Sequence, residues 1–160
     1  LRARLRSSPV FLERESTRIN ELLKVVKSHE KLMVLCVAWG KLVEGIEFRL
    51  DGESLVKLIV LAGLPVPEPS VLNRHLLSSL KARVGDPDAA WKMVYLIPAA
   101  VKAAQAIGRG LRSERDKVAV AILDERVLEP TVKGYLEGLG YAVNAVESLQ
   151  ELLAKLQIAT

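Results

Sequence analysis

Leu32-Met33-Val34-Leu35-Cys36-Val37-Ala38 runs without interruption into Trp39-Gly40-Lys41-Leu42-Val43-Glu44-Gly45-Ile46-Glu47-Phe48. A short apolar run bounded by glycine predicts a strand buried on both faces, as in a parallel sheet. In open α/β sheets the loop leaving the carboxyl end of such a strand is where ligands are held. Here that loop carries two glycines, a lysine and two carboxylates. Glycine lets the backbone turn sharply or approach a phosphate, and Lys41 can neutralise one. Glu44 and Glu47 can accept from ribose hydroxyls or hold arginines. An ordinary charged loop has the same composition, so these residues are candidates only.

Outward from this stretch, strand and helix alternate. Pro9–Glu13 reads as a short strand, and a helix over about 16–27 places Ile19, Leu22, Leu23 and Val26 on one face. The next strand, 58–61, ends in Gly63-Leu64-Pro65-Val66-Pro67-Glu68-Pro69, whose prolines forbid regular structure. Helices are expected over 71–83, 88–95 and 98–108, with Asp86-Pro87 and Pro98 as start signals. Val118–Leu123 is another buried strand, followed by a helix near 130–139, a short strand at 141–143, and a last helix opened by Ser148-Leu149-Gln150-Glu151. The pattern predicts an α/β domain with a mostly parallel sheet and helices on both faces. No repeat or linker divides 1–160, so one domain is expected, with Gly138-Leu139-Gly140 the nearest thing to a boundary.

A second motif, Gln105-Ala106-Ile107-Gly108-Arg109-Gly110-Leu111-Arg112-Ser113, follows a predicted helix. Arg109 and Arg112 share a helix face by spacing alone, which a solvated surface would also give. A guanidinium stays charged near neutrality and grips phosphate oxygens bidentately, so the pair also suits a transferring γ-phosphoryl group.

In chain order, G-K-L-V-E-G-I-E-F, the proline-rich segment, Ile97-Pro98-Ala99-Ala100, Q-A-I-G-R-G-L-R-S-E-R-D and Leu123-Asp124-Glu125-Arg126 resemble the second motor domain of XPD/DinG-type superfamily 2 helicases. The first string resembles motif V and the fourth motif VI, and the resemblance covers residues 32 to 126. It implies a RecA-like domain whose Arg112 and Arg109 act as arginine fingers on ATP. Gln105 would position the attacking water or the phosphate. Gly45 and Glu47 would couple to the nucleotide, and Gly40, Lys41 and Trp39 would contact single-stranded DNA.

Two positions depart from the family pattern: Glu47 stands where Asp is usual, and Lys117 where Gly is common. The chain has no G-x-x-x-x-G-K-[ST] phosphate loop, no D-E-x-H segment for Mg²⁺ and no four-cysteine set for an iron–sulfur cluster. The expectation is therefore a C-terminal fragment of a longer motor. The first motor domain would hold ATP with Mg²⁺, any iron–sulfur cluster would lie in that other part, and the fragment alone would be inactive. The alternative is a degenerate helicase-like module that binds nucleic acid or a protein without ATP turnover.

Half of the 160 residues are hydrophobic, enough for one core. The net charge of +4 is uneven, with +4 in residues 1–31, +3 in 32–123 and −3 in 124–160. That is compatible with tracking a phosphate backbone. Lys57 interrupts the longest apolar stretch and no signal-peptide pattern opens the chain, so no membrane partner and an intracellular location, cytoplasm and nucleoid or nucleus, are expected. Cys36 reads as a small core residue, and His29 and His75 lack companions at ligand spacing, so no protein-bound metal is expected. Trp91 reads as packing, Arg74, Lys81 and Arg83 as a solvated helix face, and Asp124 with Arg126 as a local ion pair that steadies the motif VI arginines.

Overall fold

The computed structural model describes residues 9–45, 48–50, 53–111 and 116–159. The chain divides into two compact units, Leu1–Glu47 and Phe48–Thr160.

In the first unit β1 (Val10–Leu12) and β2 (Met33–Leu35) pair in parallel, Val10 opposite Met33 and Leu12 opposite Leu35. The crossover between them carries α1 (Ile19–Lys27), which fully buries Leu22, in keeping with its apolar face. The helix begins later than the spacing predicted. Residues 14–17 close a turn of their own, with the Thr17 amide donating to the Arg14 carbonyl at 2.9 Å and the Arg14 amide to Thr17 Oγ1 at 2.8 Å.

β2 is also shorter than the apolar run 32–38. The Glu13 amide donates to the Leu35 carbonyl at 2.8 Å, and two residues on the Val37 amide turns to the Glu13 carboxylate at 3.0 Å instead of a neighbouring strand. The run is not buried on both faces, because Met33 and Val37 are exposed. Cys36, expected in the core, is exposed too. The stretch read as a loop after the strand contains a short helix, α2 (Lys41–Gly45).

The second unit opens with an antiparallel pair, β3 (Arg49–Leu50) and β4 (Glu53–Ser54), with Arg49 opposite Ser54. Then β5 (Leu58–Leu61) pairs in parallel with β6 (Ala119–Ile122), Leu58 opposite Ala119 through Leu61 opposite Ile122. The long crossover carries α3 (Val71–Val84), α4 (Pro87–Trp91), a π turn (Lys92–Leu96) and α5 (Ile97–Ile107). A 3-10 turn (Glu125–Leu128), α6 (Pro130–Gly138) and α7 (Leu149–Ala159) complete it.

Local chemistry sets these ends. Ser70 Oγ accepts from the Asn73 amide at 3.1 Å and Gly85 closes α3 at φ 74°. Asp86 Oδ1 accepts from the Asp88 and Ala89 amides at 2.9 and 3.2 Å, with Pro87 in the first turn of α4. Ser148 Oγ accepts from the Glu151 amide at 3.1 Å, the predicted start of α7.

The helix expected over 88–95 is instead α4 followed by the π turn, in which the Ile97 amide donates to the Lys92 carbonyl. Pro98 has no N–H and its ring crowds the preceding carbonyls, which an α register cannot accommodate without a break. Val94, Tyr95 and Leu96 of the turn are buried beside Ala99, Ala100 and Ala103 of α5, while Val132 and Leu136 of α6 complete this core. Full burial of a Leu or Val is worth about 1.5–3 kcal/mol each, so this helical cluster is a main source of the unit's stability. Trp91 lies 5.7 Å from Tyr95 between ring centroids but stays 38% exposed, so it packs on one side only.

The strand expected at 141–143 does not form. Gly140, at φ 90°, reverses the chain after α6, sending its own amide to the Glu137 carbonyl at 2.9 Å and the Tyr141 amide to the Leu136 carbonyl at 3.2 Å. That is a helix-closing motif, and it uses the amide that would have started a ladder. Tyr141, Ala142 and Val143 line, with Val120 and Ile122 of β6, a half-open cleft of about 340 Å³. The described architecture is thus α/β, with parallel pairs at β1–β2 and β5–β6 and an antiparallel pair at β3–β4.

Candidate functional site

Motif VI grows out of α5. That helix buries Ala99, Ala100, Lys102, Ala103, Ala106 and Ile107 and leaves Gln105 exposed on the opposite strip. The helix ends at Ile107, but the chain keeps turning, with the Arg109 amide donating to the Ala106 carbonyl at 3.2 Å and the Gly110 amide to the Ile107 carbonyl at 3.0 Å. Gln105 and half-buried Arg109 therefore stand one helical turn apart.

Gly110 fixes the depth of this segment. It is buried, and a Cβ there would stand 3.1 Å from Ile59 Cδ1 of β5 and 3.1 Å from both Val118 methyls. The backbone after Arg109 thus presses onto β5 and the residue before β6, and a side chain there would fit only if these neighbours gave way. Arg112 lies outside the described residues.

Beyond that gap Asp116 is tied to both strands of the β3–β4 hairpin. Its Oδ2 stands 3.0 Å from Arg49 Nη1 and its Oδ1 accepts from the Ser54 amide at 3.3 Å. The Asp116 side chain is 3% exposed and that of Arg49 is 22% exposed. The carboxylate at the end of motif VI is therefore anchored on residues just after motif V in sequence.

Asp124, at the end of β6, forms the expected ion pair with Arg126, with Oδ2 to Nη2 at 2.7 Å and Oδ1 to Nε at 3.0 Å. The same carboxylate accepts from the Leu64 amide at 2.8 Å and the Arg126 amide at 3.0 Å, so it joins the 3-10 turn to the start of the proline-rich loop. The Arg126 guanidinium, helped by these amides and opposed by partial burial, holds the Asp124 carboxyl well below the usual carboxylate range.

In the first unit, Trp39, Gly40 and Lys41 lie on the turn between β2 and α2, closed by the Gly40 amide donating to the Val37 carbonyl at 2.7 Å. The turn wraps a side chain that the sequence reading passed over. Glu13 Oε2 accepts from the Val37 amide and Oε1 from the Leu42 amide, both at 3.0 Å. A Cβ on Gly40 would run into that carboxylate, only 2.8 Å from Oε1, so the glycine is what lets the turn close over Glu13. Lys41 Nζ donates to the Glu15 carbonyl at 3.2 Å and Trp39 is 50% exposed. Gly45 ends α2, and Glu47 lies outside the described residues.

Glu13 also bears on Cys36. That residue is on the surface, yet enough chain surrounds the thiol that partial burial, and then the Glu13 charge, push its pKa up. Besides Glu13, the sequence reading missed the Arg49–Asp116 pair and the burial of Lys102, 3% exposed within α5. A lysine inside the apolar string Ala99–Ile107 was the one signal available for the last of these.

As chemistry, Gln105 and Arg109 offer N–H donors and a permanent positive charge suited to phosphate oxygens. Neither supplies the carboxylate oxygens that Mg²⁺ takes. Among the described residues no group of three or more His, Cys, Asp or Glu converges on a point, and no helix is long and apolar enough to cross a membrane.

Comparison with known proteins gives this arrangement a family. The ATP-dependent DNA helicase XPD of Sulfolobus acidocaldarius is 32% identical over 120 residues, which cover 75% of this chain and 21% of that protein. The ATP-dependent DNA helicase CHL1 of Vanderwaltozyma polyspora is 27% identical over 129 residues, covering 76% of this chain and 15% of that one. The chain thus spans about a fifth or less of the length of these relatives.

A solved XPD helicase superposes with a TM-score of 0.69 at 32% identity, covering 88% of this chain and 25% of that one. The structure of S. tokodaii Xpd4 gives 0.59 at 28% identity, covering 88% and 26%. The model of the helicase C-terminal domain matches residues 1–138. With most of its length matched and XPD helicases among both its sequence relatives and its structural neighbours, the chain belongs to the helicase C-terminal domain family, as an XPD-type member.

Proposed function

We propose that the chain is the second, RecA-like motor domain of an ATP-dependent DNA helicase, its two compact units forming one domain. A first motor domain elsewhere in the protein holds the phosphate loop, ATP and Mg²⁺. Arg112 and Arg109 reach across the cleft to the γ-phosphate, and Gln105 positions the attacking water or the phosphate. Gly45 and Glu47 couple the nucleotide to the neighbouring loop, where Trp39, Gly40 and Lys41 meet single-stranded DNA. The protein works inside the cell on its DNA, and any iron–sulfur cluster belongs to parts outside this chain.

The observation that carries the reading is exposed Gln105 near the end of α5, followed by Arg109 on the turn that Gly110 seats against Ile59 and Val118, within a chain matched by the helicase C-terminal domain. The donor set fits phosphate, which supports the reading.

The test is DNA-stimulated ATP hydrolysis by the full-length protein, wild type against Arg112→Ala at saturating ATP. An arginine finger is worth about 10³- to 10⁵-fold in rate, so a loss of that size with DNA affinity retained is expected. Unchanged hydrolysis, or none in the wild type, would overturn the assignment in favour of a binding module without turnover. Lys41→Ala should instead weaken DNA binding and its salt dependence.

A further inference from the structure

We infer that Glu13 is a positioning residue for the DNA-facing turn, holding the backbone of Trp39, Gly40 and Lys41 in its binding geometry by gripping both ends of that turn. This rests on the proposed role of the turn in binding DNA and adds to it a residue that itself touches neither DNA nor ATP. One carboxylate takes the Val37 amide on Oε2 and the Leu42 amide on Oε1, each at 3.0 Å. It comes from the end of β1, a different element, so the turn is fixed to the strand pair instead of hanging from β2 alone.

The second observation is Gly40. The space its missing side chain leaves is filled by the Glu13 carboxylate, so turn and carboxylate are shaped to each other. Lys41 adds a tie to the same segment through the Glu15 carbonyl at 3.2 Å. Three successive residues that meet a nucleic-acid backbone are thereby carried on main chain restrained at residues 37 and 42. A charged acceptor for two amides is among the stronger restraints a side chain can offer. Small errors in the placement of binding groups are costly in function, which makes the restraint consequential.

The same geometry defines a diagnostic pair of substitutions. Gly40→Ala in the wild type must push the carboxylate out, and so should mimic Glu13→Ala. With Glu13 already replaced by alanine the three atoms nearest the added methyl group are gone. The two changes should be strongly non-additive, whereas two independent losses would multiply.

The experiment measures oligo(dT)-stimulated ATP hydrolysis by the full-length protein and reads the oligo(dT) concentration at half-maximal stimulation. Glu13→Ala is expected to raise it at least about 10-fold, the order expected for loss of a charge-assisted hydrogen bond. Glu13→Gln, which keeps the side-chain volume and one carbonyl acceptor, should fall between it and the wild type. Gly40→Ala should match Glu13→Ala alone and add no more than about twofold on top of it.

Stimulated wild type with half-saturation unchanged in Glu13→Gln and in Glu13→Ala would overturn the inference and leave the helicase reading standing. Multiplying effects of Gly40→Ala and Glu13→Ala would overturn it as well. A wild type without DNA stimulation would sink both together. Should Glu13→Ala fail to fold, Glu13→Gln and Gly40→Ala carry the test, with an increase expected in both, the larger in Gly40→Ala, and unchanged half-saturation refuting it.

Discussion

Replacing Asp116 with alanine tests whether the end of motif VI is held by the β3–β4 hairpin. The carboxylate is 3% exposed and stands 3.0 Å from Arg49 Nη1, a charge-assisted hydrogen bond worth about 1.5–3 kcal/mol. It also accepts from the amide of buried Ser54 at 3.3 Å, and an amide left buried without its acceptor costs about 1–3 kcal/mol. Breaking one side of a fully buried pair costs about 3–5 kcal/mol. Arg49 is 22% exposed and recovers some water, and the Ser54 bond is long, so the lower end, about 3 kcal/mol, is the expected loss. Asp116→Asn keeps one carbonyl acceptor, which can stay on the Ser54 amide, and loses both the charge and the acceptor for Arg49, so a loss smaller than that of alanine is expected. At 160 residues, 3 kcal/mol corresponds to a fall in Tm of roughly 6–12 °C, readable in thermal melts of the chain at neutral pH. A loss under about 1 kcal/mol for Asp116→Ala would refute the reasoning, and equal losses for Asn and Ala would refute the part assigned to the Ser54 amide.

Two further outcomes follow from the second unit. The folded protein holds the Asp124 carboxyl below its usual range, so its contribution to stability is present above the unfolded value of about 3.9 and is lost as pH falls below that value toward the folded one. Wild type should consequently lose more Tm between pH 6 and pH 3 than Asp124→Asn, and parallel acid limbs in the two melting series would contradict the linkage. Gly110→Val places methyl groups beyond a Cβ that already sits 3.1 Å from Ile59 and Val118, so overpacking should cost about 1–3 kcal/mol and slow ATP hydrolysis by displacing Arg109; urea melts and initial rates check both, and wild-type values in both would show that the segment is not seated as described.

The fold was legible wherever a local rule and the tertiary environment agreed. Leu58–Leu61 pairs as a strand with the bounds read from its apolar run, and Ser70, Asp86 and Ser148 start helices through the hydrogen bonds their side chains allow. Apolar composition misled at 141–143, because Gly140 can adopt a left-handed conformation and the Tyr141 amide is taken by the Leu136 carbonyl. It misled again at Cys36, where β2 stops as the Val37 amide turns to Glu13. That stop depends on a residue 24 positions away, which no window along the sequence contains.

The candidate site was legible as residue types. Gln105 falls on the exposed side of the helix expected there, while Arg109 follows the helix end and Arg112, with which it was paired by spacing, lies outside the described residues. Its supports were not legible, since Glu13, Arg49 and Asp116 act across long sequence separations and none stands in an unusual local pattern. Gly40 and Gly110 illustrate the difference. Both were visible as glycines, but only the contacts show that one makes room for a carboxylate and the other for two strand side chains.

The π turn at Lys92–Leu96 sets the azimuth of everything that follows it. Each residue of an α-helix advances the direction of its side chain by about 100°, and a π turn is equivalent to one extra residue within the helical path. Because the wide turn takes up that residue, α5 keeps nearly the phase of an α-helix one residue shorter, and removing one residue from 92–96 would close the turn and leave Pro98 inside a continuous α register, where its ring meets the carbonyl four residues back. Along this stretch the number of residues is a functional quantity in its own right: a conservative substitution at Met93 leaves the wide turn ahead of Pro98 intact, whereas deletion of the same residue removes it.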